Sequence, residues 1–142
     1  MNGKRILVIG GGIGGLTAAT ALAQKGFEVT VAERSDGTGI EGVGISQQAN
    51  VVRALAGLGL AEDYLAAGFA YHAVEIYAPD GSLIVRTPSR SLIEGYPASM
   101  GIPRPALHRV LREAAERSGA AIRNGLTVAR LDDRSDRIEV EF

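Results

Sequence analysis

A glycine-rich segment near the N-terminus has the residue types and spacing to bind a phosphate group through the backbone. Residues 10–15 read Gly-Gly-Gly-Ile-Gly-Gly and contain the pattern Gly10-x-Gly12-x-x-Gly15. The first glycine of this pattern permits a tight turn, the second lets a pyrophosphate approach the backbone, and the third lets a helix pack against a strand. N–H groups at the helix start, together with the helix dipole, then attract the phosphates. The pattern predicts a dinucleotide site.

An acidic residue lies where such a site requires one. Glu33 follows Gly15 by 18 residues and closes a short apolar run. A carboxylate at this point hydrogen-bonds the hydroxyl groups of an adenosine ribose, and it disfavours NADP because a 2′-phosphate would meet a negative charge. The alternative is an ordinary tight turn with Glu33 as a solvated charge at the end of a strand. The glycine pattern alone does not separate NAD from FAD.

The segments on both sides of the glycines predict a strand–helix–strand unit. Residues 6–9 form a continuous apolar run typical of a central parallel strand buried on both faces. A helical pattern follows and ends at Gly26, a natural C-terminal cap. Residues 28–33 are typical of a second strand, parallel to the first.

The rest of the chain predicts further strands and helices without an internal repeat. Asp80 and Gly81 supply a turn between two apolar runs and indicate a hairpin. Leucine and valine at helical spacing indicate a helix that starts near Pro105. The remaining predictions are a loop over 34–46, a helix over 46–57, hairpin strands over 74–77 and 83–85, a loop over 86–97, and strands over 98–102, 121–123, 127–131 and 138–142.

Composition excludes several classes of function. The 142 residues carry a net charge of -1, which leaves no basic field for nucleic acid or an anionic membrane. The chain has no cysteine, so disulfides and thiolate catalysis are excluded. Its N-terminus resembles neither a signal peptide nor a membrane span, so we expect a cytoplasmic protein. We nominate no catalytic residue and no metal ligand, an absence that suits an enzyme whose cofactor carries the chemistry.

Four segments resemble the group A FAD monooxygenases, the aromatic hydroxylases typified by p-hydroxybenzoate hydroxylase. They are the opening strand–helix–strand unit, the sequence Gly-Val-Gly-Ile-Ser over 42–46, the residues Asn50 and Arg53 with the helix around them, and Ile-Pro-Arg over 102–104 followed by Leu107 and Leu111. Ala49 departs from the family, which usually has proline before Asn50. Two further family motifs, Asp-Gly and Gly-Asp, belong downstream of Phe142.

The resemblance implies a fold and an activity. The expected fold is α/β, a Rossmann-type three-layer FAD-binding domain that is incomplete at its C-terminus. Residues 1–142 would be its N-terminal portion, with a β-hairpin insertion at about 73–97 that belongs to the substrate-side sheet. In this family NAD(P)H reduces bound FAD, the reduced flavin reacts with O2, and an aromatic or related small molecule is hydroxylated.

The resemblance also assigns roles to individual residues. It places pyrophosphate on the glycine turn, the adenosine ribose at Glu33 with Arg34 beside it, the flavin near Gly44 and Ile45, and adenine against the backbone of Val128. The turn residues implied are Gly10, Gly12, Ile13, Gly14 and Gly15. Arg104 would meet the phosphate region, because a cation at a helix start opposes the helix dipole and favours a nearby anion. The alternative for Arg104 is an exposed arginine without a partner.

Two other functions remain open at this point. One is a different glutathione-reductase-like FAD oxidoreductase, and the other is a non-catalytic, truncated or split module that binds ADP-like ligands. In all three cases we expect the glycine turn to bind a nucleotide. We expect the C-terminal half of the enzyme, as a continuation or a separate chain, to be required for activity with a small aromatic substrate, and an oligomer is an alternative arrangement.

Overall fold

A computed structural model describes residues 4–37 and 42–142. Of the predicted loop over 34–46, residues 38–41 lie outside the described part. The chain divides into two compact units, Met1–Ile40 with Leu111–Phe142 and Glu41–Val110. The elements are, in chain order, β1 (Arg5–Ile9), α1 (Ile13–Gln24), β2 (Glu28–Glu33), β3 (Gly44–Gln48), α2 (Ala49–Gly57), α3 (Ala61–Ala66), β4 (Phe69–Tyr71), β5 (Ala73–Tyr77), β6 (Leu83–Pro88), β7 (Ser99–Pro103), α4 (Arg104–Arg117), β8 (Ala121–Asn124), β9 (Arg130–Asp133) and β10 (Ile138–Glu141).

The first unit contains the predicted strand–helix–strand unit. Strands β1 and β2 are parallel, with Ile6 beside Val29 and Val8 beside Val31. Helix α1 packs on both strands and buries Leu16, whose side chain is fully inaccessible. Since the switch from a strand pattern to a helical pattern is local to the sequence, the whole unit was predictable.

Strand β1, predicted from its apolarity to be a central strand with neighbours on both edges, has one of these neighbours in the described part. Among the described residues the strand order is β1-β2-β8, so β2 lies in the middle and β1 at the edge. Strand β1 is only half-buried, whereas Val29 and Val31 of β2 are buried. An apolar sequence indicates that both faces of a strand are buried in the folded protein, but it does not identify the neighbouring strands in the sheet.

A short antiparallel hairpin completes the first unit. Strands β9 and β10 pair Leu131 with Val140, and the predicted strand over 127–131 begins later, at Arg130. Its charges alternate in sign along the chain and pair locally, with Arg134 bridging Asp132 at 3.2 Å and Glu139 at 3.2 Å. Exposed ion pairs of this kind contribute little to stability.

The second unit is built on an antiparallel sheet of order β3-β7-β4. Gly44 pairs with Pro103 and Ile45 with Ile102. The helix predicted over 46–57 begins at Ala49, because residues 44–48 form β3 instead. Pairing with β7, more than fifty residues away, decides this boundary, and no local pattern encodes it. Helix α3 and strand β4 were not predicted, since both are too short for a periodic signal.

The predicted hairpin of the second unit is confirmed. Strands β5 and β6 pair Ile76 with Val85, and Asp80 accepts a hydrogen bond from the Ser82 N–H at 2.9 Å in the turn. Gly81 has φ +85°, which favours glycine. Strand β6 extends to Pro88, three residues into the predicted loop. Membership of a substrate-side sheet stays a prediction.

The third predicted helix is α4, which starts at Arg104, one residue before Pro105. Its buried residues are Leu107, Val110, Leu111, Ala114 and Ala115, and the first four have the spacing expected of a helix with one apolar face.

Tyr64 of α3 yields a prediction about stability. Its side chain is fully buried, and its hydroxyl has no hydrogen-bond partner among the described residues. Burial raises the pKa of Tyr64 to about 12. Because the folded state favours the neutral phenol, stability is lost as pH rises above the ordinary tyrosine pKa of 10.0. We expect Tyr64→Phe to be neutral or stabilising at pH 7 and to reduce the loss of stability above pH 10.

Urea unfolding at pH 7 measures the change in stability, and urea unfolding at several pH values between 9 and about 11 measures the change in pH dependence. The pH range is limited to buffers in which the wild-type protein is folded before urea is added. Tyr96→Phe is the matched control, since Tyr96 is only partly buried. A Tyr64→Phe protein that loses stability at pH 7 would mean that the hydroxyl has a partner in solution.

Candidate functional site

The glycine turn between β1 and α1 is closed on one side and open on the other. Gly10 has φ +101° and donates its N–H to the Ala32 carbonyl at 2.8 Å. A Cβ atom at Gly15 would lie 1.9 Å from the Gly10 carbonyl oxygen, so only glycine fits. At Gly12 and Gly14 a Cβ atom would meet no atom within 4 Å. The inner side of the turn is therefore packed, and the outer side leaves room for a ligand.

The start of α1 offers N–H groups to that open side. Gly12 caps the helix with extended backbone, and the described residues place no acidic side chain in its first turn and no side-chain hydrogen bond at the cap. The Leu16 N–H is the first to pair within the helix, with the Gly12 carbonyl at 2.9 Å. Helix-start amides and the positive end of the dipole favour an anion such as a pyrophosphate. The open side of the turn thus fits a dinucleotide.

Glu33 is held against the glycine turn by its own carboxylate. One oxygen, Oε2, accepts the Gly11 N–H at 2.6 Å, and the other, Oε1, accepts the Ser35 N–H at 2.8 Å. The hydrogen bonds from Ser35 and Gly11 lower the pKa of Glu33, with a smaller contribution from the charge of Arg34. An ionised carboxylate accepts about four hydrogen bonds, so acceptor positions remain for ribose hydroxyls.

The segment after β8 lies beside Glu33 and the residues that follow it. Leu126 donates its N–H to the Glu33 carbonyl at 3.0 Å, and Gly125 donates to the Ser35 carbonyl at 2.9 Å. The Asn124 side chain donates to the Asp36 carbonyl at 3.3 Å. The sequence analysis did not predict the contacts of Ser35 and Asn124. The one signal for them in the sequence is the Asn-Gly pair at 124–125, which is typical of a turn and would bring the chain close to the end of β2. Val128 follows this segment, and its contact with adenine stays a prediction.

In the second unit the structure brings three predicted residues together. Gly44 and Ile45 begin β3, and Arg104 begins α4 directly after the β7 residues that pair with them. The Arg104 N–H donates to the Val43 carbonyl at 3.3 Å. Residues that are about sixty positions apart in the sequence are thereby neighbours.

Other kinds of site find no support in the part of the chain that the structure describes. No group of three metal-binding side chains occurs within residues 4–37 and 42–142. No helix in these ranges is both long and apolar enough to span a membrane.

Comparison with known proteins decides between the dinucleotides. The model of a family described as "FAD binding domain" matches residues 4–142. The chain belongs to this FAD-binding family. The choice of FAD, which the glycine pattern left open, and the resemblance to aromatic hydroxylases are both confirmed.

Two curated relatives of this FAD-binding chain are hydroxybenzoate monooxygenases or hydroxylases by name. It is 37% identical over 142 residues to 3-amino-4-hydroxybenzoate 2-monooxygenase of Streptomyces cremeus, covering 97% of this chain and 35% of the relative. It is 39% identical over 122 residues to 3-hydroxybenzoate 6-hydroxylase of Polaromonas naphthalenivorans, covering 80% of this chain and 29% of the relative. The chain therefore spans about a third of the length of the curated relatives that it matches.

Solved structures share the fold. A tetrameric form of 2-methyl-3-hydroxypyridine-5-carboxylic acid oxygenase has a TM-score of 0.73 at 30% identity, with 86% of this chain and 31% of that chain covered. For p-nitrophenol 4-monooxygenase PnpA from Pseudomonas putida DLL-E4 the TM-score is 0.85 at 22% identity, with 97% of this chain and 36% of that chain covered. The α/β FAD-binding fold is thereby confirmed.

The two sides of the glycine turn predict opposite effects of alanine. Gly15→Ala forces a Cβ atom onto the Gly10 carbonyl, so we expect a loss of stability of roughly 1–3 kcal/mol, as for overpacked cores. Gly14→Ala has open space and adds helix propensity, so stability should be unchanged or rise by up to about 1 kcal/mol. A methyl group there would occupy open space at the turn where we expect the pyrophosphate, so FAD affinity should fall. Urea unfolding and FAD titration of both variants measure this contrast, and a Gly15→Ala variant as stable as Gly14→Ala would contradict it.

Proposed function

We propose that this chain is the flavin-binding portion of a monooxygenase that hydroxylates a small aromatic molecule with NAD(P)H and O2. The observation that carries the proposal is the glycine turn with Glu33 clamped to it, in a chain of the FAD-binding family. The redox chemistry, reduction by NAD(P)H and activation of O2, comes from FAD when it is bound. The residues of this chain bind and orient that cofactor.

The first unit would bind the ADP portion of FAD. The turn amides would hold the pyrophosphate, and the Glu33 carboxylate would accept the ribose hydroxyls, with Arg34 beside it. Since Gly11 and Ser35 already fix both Glu33 oxygens, little conformational entropy remains to be lost on binding. The turn residues proposed are Gly10, Gly12, Ile13, Gly14 and Gly15. Val128 would present its backbone to the adenine.

The second unit would contribute to the flavin side of the cofactor. Gly44 and Ile45 would lie toward the ribityl chain and the ring. Arg104 would bind the phosphate region, because this residue is exposed at a helix start and has no ion pair within the described ranges. A cation at that end of a helix is unfavourable unless an anion compensates it.

Several exposed surfaces support the proposal that further polypeptide completes the enzyme. The parallel sheet and the β9–β10 hairpin leave a cleft of about 1150 Å³, whose apolar lining includes Ile6, Ile9, Ile138 and Phe142. Strand β1 pairs on one edge alone within the described residues. Open apolar edges favour association. The C-terminal half, as a continuation or as a second chain, would cover them.

The remaining features of the proposal concern architecture and setting. The complete domain would have three layers, and the hairpin insertion at about 73–97 would join the substrate-side sheet. The enzyme would be cytoplasmic and would bind no nucleic acid and no membrane, and an oligomer is one arrangement that would cover its open edges. Residues 1–142 alone would not hydroxylate a substrate.

Release of the cofactor tests the central proposal. The whole protein that carries this chain should contain FAD, so heating it should release a yellow compound with flavin absorbance bands. The supernatant spectrum and the retention time against FAD and FMN standards identify it. A supernatant without flavin bands, from protein that has been supplied with FAD during refolding, would refute the proposal.

Titration of variants with FAD tests the two charged residues. Glu33→Ala removes a charged acceptor for ribose, so we expect binding weaker by roughly 1.5–3 kcal/mol, with Glu33→Gln between Glu33→Ala and the wild type. Arg104→Ala removes a cation near phosphate, so FAD affinity should fall and become less dependent on salt. Arg109→Ala, an exposed arginine on the same helix, is the control. Unchanged affinity of Arg104→Ala at low salt would identify Arg104 as an ordinary surface residue.

A further inference from the structure

The side chain of Arg104 lies directly over the backbone of Gly42. A Cβ atom built on Gly42 would lie 3.1 Å from Cδ, 3.4 Å from Cβ and 3.6 Å from Nε of Arg104. The first distance is shorter than ordinary van der Waals contact. A side chain at position 42 would therefore press on the aliphatic stem of the arginine, which would have to shift by a few tenths of an ångström.

The backbone fixes the two residues in this arrangement. Gly44 pairs with Pro103 at the end of the antiparallel β3–β7 ladder. The hydrogen bond from the Arg104 N–H to the Val43 carbonyl, at 3.3 Å, extends the ladder by one step. Gly42 comes next, so it lies where α4 begins. The Cα and Cβ atoms of Arg104 cannot retreat from a side chain at position 42 without breaking this ladder.

We propose that Gly42 is a positioning residue for Arg104, because its missing side chain lets the arginine stem lie flat on the loop and so directs the guanidinium at the FAD phosphates. The proposal rests on the function proposed above, in which Arg104 binds the phosphate region. A methyl group at position 42 would leave the charge of Arg104 intact and displace its stem, and with it the guanidinium.

A second reason for glycine at position 42 must be separated from this one. Gly42 has φ +150°, a conformation that side-chain-bearing residues rarely adopt. Alanine would therefore strain the loop whatever residue stands at position 104. Strain of the loop acts equally with arginine or alanine at 104, whereas positioning acts only when the arginine is present.

A double-mutant cycle distinguishes the two effects. FAD dissociation constants are measured at several salt concentrations for the wild-type whole protein, Gly42→Ala, Arg104→Ala and the double variant. We expect Gly42→Ala to weaken FAD binding by roughly 3- to 10-fold and Arg104→Ala by roughly tenfold or more, as for the loss of a charge-assisted contact. Both should flatten the salt dependence of affinity. In the Arg104→Ala background, Gly42→Ala should weaken FAD binding much less than it does in the wild-type background, because only the effect of loop strain remains.

Gly59→Ala is the matched control. Gly59 has φ +74°, and a Cβ atom there would meet no atom within 4 Å, so alanine introduces backbone strain without a collision. This variant should retain the wild-type affinity for FAD and its salt dependence. A change in either quantity would show that strain in this unit alone weakens FAD binding, and would count against the proposal.

Each other outcome has a separate meaning. An equal loss of affinity from Gly42→Ala in both backgrounds, or a wild-type salt dependence in Gly42→Ala, overturns the positioning role while the proposed function stands. A wild-type protein that binds no FAD, or an Arg104→Ala variant with unchanged affinity, refutes the proposed function or its Arg104 assignment, and the positioning role with it. If Gly42→Ala fails to fold, refolding of the double variant supports the collision with Arg104, and its failure to refold overturns it.

Discussion

The close approach of α1 to the end of β1 is the constraint on which the nucleotide site depends. The Gly10 carbonyl occupies the position that a side chain at Gly15 would need, so helix and strand meet at backbone distance. This contact orients the first turn of α1 and exposes the outer side of the glycine turn. At Gly12 and Gly14 that outer side is open space, in which a ligand could lie.

Glu33 extends this arrangement from the turn to the neighbouring strand. Its carboxylate joins Gly11 to Ser35, and its carbonyl accepts the Leu126 N–H from the segment after β8. One residue thus connects three segments at the carboxyl ends of parallel strands, where nucleotides bind in folds of this class. The same hydrogen bonds that lower the pKa of Glu33 keep its carboxylate charged and in place.

In the second unit, antiparallel strand pairing brings together residues that are distant in the sequence. Pairing of β3 with β7 places Gly44 and Ile45 beside the start of α4, and Gly42 lies under the Arg104 stem. Small residues in both units thus permit close packing: Gly15 against a carbonyl group, and Gly42 against an arginine side chain. In each case a Cβ atom at the glycine would press on the group packed against it.

The sequence by itself determined the strand–helix–strand unit, the hairpin around Gly81, the helix that begins at Arg104 and the acidic residue at the end of β2. These features depend on local periodicity, on turn residues and on spacing within about thirty residues, all of which are readable along the chain. Only the tertiary structure decided that residues 44–48 are a strand, that β1 lies at the sheet edge in the described part, and that Ser35 and Asn124 meet the segment around Glu33. Those outcomes depend on partners that are distant in the sequence, or on the direction of single hydrogen bonds, and a one-dimensional pattern carries neither.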